Sequence, residues 1–324
     1  QVGVDYRKDY NGNTIGISYH YGDTNNAGTP ALPMDISYIY SHRVNVDGEI
    51  DLGNWQVDWM LGYLSADHGM DNFSNRKNMM DNMYRTNTTS ADTVDFRLTA
   101  SDDSMLWGID GYLADHQAVV TNPNNMMFNI NNFNEVTDDR LGAFVQWQGE
   151  LLQAPIQLGG RLKFSNADAG NVSHHMAGGN AAIASLMNDF NAEDKSINDT
   201  NFDIVANMKH TLTANLEMTT ALAVKQRAPS YQSRYLWLPM EATGGLADGK
   251  TYVGDVNLKA ETAYQADIGL SYQTDNLIFT PHVYYQQVQD YVQGINSDDA
   301  KVMMVAAMMS TRTPLQFANV DATI

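Results

Sequence analysis

Segments in which apolar and polar residues alternate recur along this chain, and the connections between them alternate too, one long and one short. From Tyr264 to Tyr272, the side chains of Tyr264, Ala266, Ile268, Leu270 and Tyr272 share one face, and Gln265, Asp267, Gly269 and Ser271 share the other. Successive residues of a strand point to opposite sides, so each such segment has one apolar and one polar face. Ile156, Leu158, Leu162 and Phe164 oppose Gln157, Arg161 and Lys163 in the same way, and Leu141, Val145 and Trp147 oppose Gln146 and Gln148. Short turns are expected at residues 101–104, 151–155, 211–214 and 273–276. Long loops are expected at 67–93, 114–139, 165–200 and 226–257, with another from near 289. A soluble sandwich also alternates, but it has no reason to gather every long loop at one end. A membrane β-barrel does, with short periplasmic turns and long outer loops. The pattern therefore predicts an all-β transmembrane antiparallel β-barrel, with about 12 strands visible and charged residues on its inner face.

Composition agrees. No run of about 18 apolar residues exists, so no transmembrane helix is expected, which leaves barrel strands untouched. Absence of Cys removes disulfides and thiolate metal ligands. A formal net charge of −19 argues against a nucleic-acid partner and suits a lumen that attracts cations. The chain opens directly in strand, with no leader, and closes in another, Asn319 to Ile324. It is therefore expected to be part of a longer protein, and its sheet is not expected to close on itself. Glycine-rich phosphate loops, nucleophile elbows and HExxH are absent, so no enzyme chemistry is expected.

Two stretches resemble a known family. One is Arg227-Ala228-Pro229, followed by Glu241-Ala242-Thr243-Gly244-Gly245 and then Asn257-Leu258-Lys259-Ala260-Glu261. It resembles the "R-x-P" and "N-L-K-P-E" elements of TonB-dependent outer-membrane receptors, with Ala260 in place of the usual Pro. The other, His68-Gly69-Met70-Asp71-Asn72, resembles the "H-x-M-D-N" element of the TonB-dependent copper receptor group. The resemblance implies that residues 1–324 are part of a barrel of 22 strands, whose N-terminal plug and C-terminal strands lie outside this chain. It further implies the outer membrane of a Gram-negative bacterium, contact with its lipid, and energy from the TonB–ExbB–ExbD complex through the plug.

Soft ligands gather on the long-loop side. They are His68, Met70, Met79, Met80 and Met83, then His116, Met126 and Met127, then His174, His175, Met176 and Met187, then Met240, and finally Met303, Met304, Met308 and Met309. Thioether sulfur favours Cu(I), and imidazole suits copper generally. His68 and Met70, two apart on extended chain, point the same way and are the leading metal candidates. His174, His175 and Met176 form a second cluster. The other methionines read as packing, and His20, His42, His210 and His282 as structural. Tyr231, Tyr235, Trp237 and Tyr252 are candidates to stack on an organic ligand, with loop packing as the competing reading. The expected function is active uptake of a metal ion, copper first, as cargo and with no covalent cofactor. The alternatives are a receptor for a siderophore, metal chelate or other organic ligand, a passive porin, and a barrel enzyme.

Overall fold

Asn11 and Gly12 both have positive φ, 49° and 82°, the conformation that a two-residue hairpin turn requires and that Asn-Gly adopts readily. They join β1 (Val2–Tyr10) to β2 (Asn13–Ala27). The computed structural model describes residues 1–78, 80–151, 153–240, 248–309 and 313–323. It continues as an antiparallel meander: β3 (Asp35–Asp51), β4 (Gln56–Asp71), β5 (Thr86–Ser101), β6 (Met105–Asn122), β7 (Asn125–Leu151), β8 (Ala154–Asp168), β9 (Ile197–Thr213) and β10 (Leu216–Arg227). Then come β11 (Tyr252–Val253), β12 (Glu261–Thr274), β13 (Leu277–Phe279), β14 (His282–Asn296) and β15 (Leu315–Thr323). All fifteen belong to one sheet, in sequence order except that β11 pairs parallel with β15 at the far end and β13 extends from β12. The sheet is open in these residues.

Side-chain chemistry separates the two faces. Ile17, Leu61, Leu98, Leu141, Leu162, Ile204, Leu222, Ile268 and Val283 are exposed on the outward face, as lipid contact demands. Outward aromatics form two bands. Trp107, Trp147, Tyr272 and Phe279 lie toward the short turns, and Tyr19, Tyr63, Phe164 and Tyr264 toward the long loops. The inward face carries ion pairs between strands: Arg43–Asp95 at 3.1 Å, Lys163–Asp203 at 2.7 Å, Arg227–Glu261 at 2.7 Å, and Arg161 to Asp110. His282 lies 3.1 Å from Asp267 on the same face. The short turns are locally encoded. The Asp102 carboxylate, for example, accepts the Ser104 and Met105 N–H groups at 2.8 and 2.7 Å.

Three expectations need correction. Fifteen strands appear among the described residues rather than about 12, the short β11 and β13 among them. Residues 114–139 are not a long loop. They are the outer half of the β6–β7 hairpin, turned through Pro123 and Asn124. His116 is thus a strand residue, and Met126 and Met127 sit at the hairpin tip, 99% and 82% exposed. Likewise β4 runs through Asp71, so His68 and Met70 lie on strand and the first loop shrinks to 72–85.

The inner face of the long hairpin is covered. Three loops fold onto it through α1 (Ala181–Ala192), α2 (Tyr231–Tyr235) and α3 (Ala300–Met309). The Asn180 side chain caps α1 by accepting the Ala182 and Ile183 N–H groups, each at 3.1 Å. Ile183, Leu186 and Phe190, spaced three and four apart, present one buried stripe. α3 contributes Val302 and Val305. These side chains meet Val120, Ile130, Phe133 and Val136 of the hairpin, together with Tyr235, Leu236, Trp237 and Leu238, in one hydrophobic cluster. Burial of each large apolar side chain contributes about 1.5–3 kcal/mol, which is what orders such long loops.

Candidate functional site

His68 and Met70 sit near the outer end of β4, on the face shared with the Arg43–Asp95 pair. The register fixes their surroundings. His68 is opposite Ile39 and Thr89, and Met70 is opposite Ile36 and Asn87. Met70 is buried, and the Nε2 atom of His68 is buried without a hydrogen-bond partner. The next residues hold this end of the strand in place. Asp71 accepts the Phe73 and Ser74 N–H groups and the Ser37 and Ser74 hydroxyls, at 2.6–3.0 Å. Asn72 bridges the base of the loop, accepting the Arg85 N–H at 2.9 Å and donating to the Met83 carbonyl at 3.0 Å. In His68-Gly69-Met70-Asp71-Asn72 the last two residues are therefore structural, and His68 and Met70 are left on the inner face.

The second cluster lies along the same row of the wall. Met70 is opposite Asn87, Asn87 opposite Val120, Val120 opposite Ile130, and Ile130 bridges to His174. Four strand spacings separate Met70 from His174, about 19 Å along the wall, so the two clusters do not meet at one ion. His174 and His175 stack with ring centroids 4.8 Å apart. The Met176 N–H donates to His174 Nδ1 at 3.0 Å. A neutral imidazole that accepts at Nδ1 carries its proton on Nε2, and this Nε2 is buried and unpaired. In that tautomer the Nδ1 lone pair is engaged by the Met176 N–H, which a metal at His174 would have to displace. Burial and the adjacent His175 lower the His174 pKa to about 4. Met176 is exposed.

The aromatic candidates are engaged with protein. Tyr231 stacks on His116 at 4.4 Å and meets Phe133 edge-on. Tyr235 and Trp237 are 1% and 2% exposed. The Tyr235 hydroxyl donates to the Lys195 carbonyl at 2.7 Å, and Trp237 Nε1 donates to the Asn131 carbonyl at 2.8 Å. Tyr252 stacks on Phe317, and its hydroxyl donates to Asp248 at 2.6 Å. Met187 and Met240 pack against the hydrophobic cluster, while Met80, Met83, Met303, Met304 and Met308 are exposed. Met79 and the Glu241–Gly245 part of the receptor-like stretch lie outside the described residues.

Beneath α2 the inner wall is hollowed by two cavities of about 400 and 370 Å³, which share Arg140, Arg227 and Ala228. Among the described residues no three His, Asp or Glu side chains converge on a point where a metal would sit.

A family model described as TonB dependent receptor-like, beta-barrel, matches residues 1–323. No curated protein sequence matches the chain. Among solved structures, the copper transporter OprC superposes with a TM-score of 0.72 at 18% identity, covering 99% of this chain and 48% of that one. The alcaligin outer-membrane receptor FauA from Bordetella pertussis gives 0.55 at 9%, covering 98% and 47%. A ferric enterobactin receptor, PfeA, from Pseudomonas aeruginosa gives 0.52 at 13%, covering 99% and 56%. This chain spans about half the length of these proteins, and at such identities the likeness is one of fold.

Proposed function

The chain belongs to the TonB-dependent receptor β-barrel family, and on that premise we propose that it forms the wall of an outer-membrane importer for copper. His68 and Met70 are its first wall ligands. One observation carries this reading: an imidazole nitrogen buried without a partner, two residues from a buried thioether on the same strand face. Nitrogen and thioether sulfur together select a soft ion. The fold shared with a copper transporter supports the same cargo. Uptake then draws on TonB–ExbB–ExbD through a plug domain outside this chain, in the outer membrane of a Gram-negative cell. Acidic loops and lumen raise the local cation concentration. The domain assignment, partial barrel over residues 1–324, is part of the same proposal.

A siderophore or metal-chelate receptor is the second reading, favoured by the fold shared with FauA and PfeA. It has less support here, because Tyr235 and Trp237 spend their ring faces and polar atoms on the loop core. Titration of the intact protein with Cu(I) and Ag(I) decides between the readings. Loss of affinity in His68→Ala and Met70→Ala supports copper import. Unchanged affinity removes both residues from the site.

A further inference from the structure

Asn87 faces the same patch of wall. It stands directly opposite Met70 on one side and Val120 on the other, and it shares its strand face with Asp95 of the Arg43–Asp95 pair. Its Nδ2 donates to the Thr89 hydroxyl at 3.4 Å, and Thr89 is itself opposite His68. That contact turns the amide so that its other end, Oδ1, looks away from Thr89. Oδ1 is buried and has no hydrogen-bond partner.

A buried amide oxygen beside a thioether and a valine has lost its water and gained no donor, which is costly unless something else fills the role. The same holds one residue pair away for His68 Nε2. Two orphaned polar atoms and a buried sulfur thus sit on adjacent positions of two paired strands. Directly opposite side chains have Cβ atoms about 5 Å apart, a span that one coordinated ion bridges.

We propose that Asn87 is the third wall ligand, its Oδ1 joining His68 Nε2 and Met70 Sδ around the same ion. This rests on the reading of His68 and Met70 given above, and it adds a prediction about selectivity. An amide oxygen is a hard donor and sulfur a soft one. With both in the set, the wall holds Cu(II) as well as a monovalent soft ion. The oxygen matters mainly to the divalent one.

The test titrates the intact protein in detergent with Cu(II) and, separately, with Ag(I). Asn87→Ala is expected to lose about tenfold in Cu(II) affinity, the scale seen when a supporting group is removed from a metal site, with a much smaller change for Ag(I). Asn87→Asp places a carboxylate oxygen at the same position and is expected to bind Cu(II) more tightly than the native protein. Thermal melting of both variants checks that the barrel is intact. If His68→Ala and Met70→Ala lose binding while both Asn87 variants match the native protein, Asn87 is not a ligand and the copper reading stands. If the His68 and Met70 variants bind normally, the copper reading itself falls.

Discussion

Met70 and His174 occupy one registered row of the inner wall, with Asn87, Val120 and Ile130 between them. The row places the two soft-ligand clusters at the same height and about 19 Å apart. Residues that far apart without shared partners act additively. The combined variant Met70→Ala/His174→Ala should therefore show a change in Ag(I) affinity equal to the sum of the single changes, within about 0.5 kcal/mol. Coupling larger than that, measured by titration, would mean that one ion touches both clusters.

The stability of the loop core should depend on pH through His174. Its pKa is depressed to about 4 in the folded chain, by burial and by His175, against about 6.5 when unfolded. Above pH 6.5 both states are neutral and nothing changes. As pH falls from about 6.5 towards 4, the unfolded loop takes up a proton that the folded one refuses, so stability is lost across that window. Burial lowers the His175 pKa in the same direction. Hydrogen-exchange protection factors of α1 and the 170–180 segment, corrected for the intrinsic pH dependence of exchange, should fall between about pH 6.5 and 4.5 in the native protein, and less so in His174→Phe.

Trp237 anchors that core. Trp237→Ala removes a side chain that is 2% exposed and leaves the Asn131 carbonyl without its indole donor. The expected cost is about 3–5 kcal/mol, confined to the loops. Limited proteolysis should cut residues 228–260 readily while the strands stay resistant. Equal resistance in the variant would show that the loops do not depend on this cluster.

Two ion pairs of similar geometry should differ in weight. Arg234 is buried, donates to Asp199 at 2.7 Å and to the Val256 carbonyl at 2.7 Å. Arg43 and Asp95 are partly exposed to the lumen. Losing Arg234 removes a guanidinium that is 1% exposed, together with its bonds to Asp199 and the Val256 carbonyl, and should cost about 3–5 kcal/mol. Arg43→Ala should cost about 1 kcal/mol or less. Urea denaturation of the two variants provides the comparison.

The outward face predicts a lipid-dependent penalty. Ile268→Arg puts a charge on the exposed apolar face of β12 and should cost about 2–4 kcal/mol in a bilayer if it lies near the midplane. Gln265→Arg, on the opposite face, should cost little. Folding titrations into phospholipid vesicles measure both.

Much of this architecture was legible from alternation alone, and the places where it was not have physical causes. The outer half of the β6–β7 hairpin carries a loop signal in its sequence because its parity is broken. Register shifts fall between His116 and Ala118 and between Ala118 and Val119, and Glu135 has a positive φ of 47°. Each bulge moves the following side chains to the other face, so Ile130, Phe133 and Val136 do not keep a period of two even though all are buried on one side. Asn-rich sequence added a false loop signal. Within the candidate site, the shared face of His68 and Met70 was legible because residues two apart on a strand point the same way. Asn87 was not. Its place opposite Met70 is set by where β5 begins after the 72–85 loop, and nothing in Thr86-Asn87-Thr88-Thr89 announces that register.

Anomalous diffraction at the copper absorption edge, from crystals of the intact protein soaked with copper, tests the central claim most directly. The account predicts a peak bonded to His68 Nε2 and Met70 Sδ on the inner face of β4. Copper found only elsewhere, at the exposed methionines or beside His175, with the His68–Met70 pair empty, would contradict it.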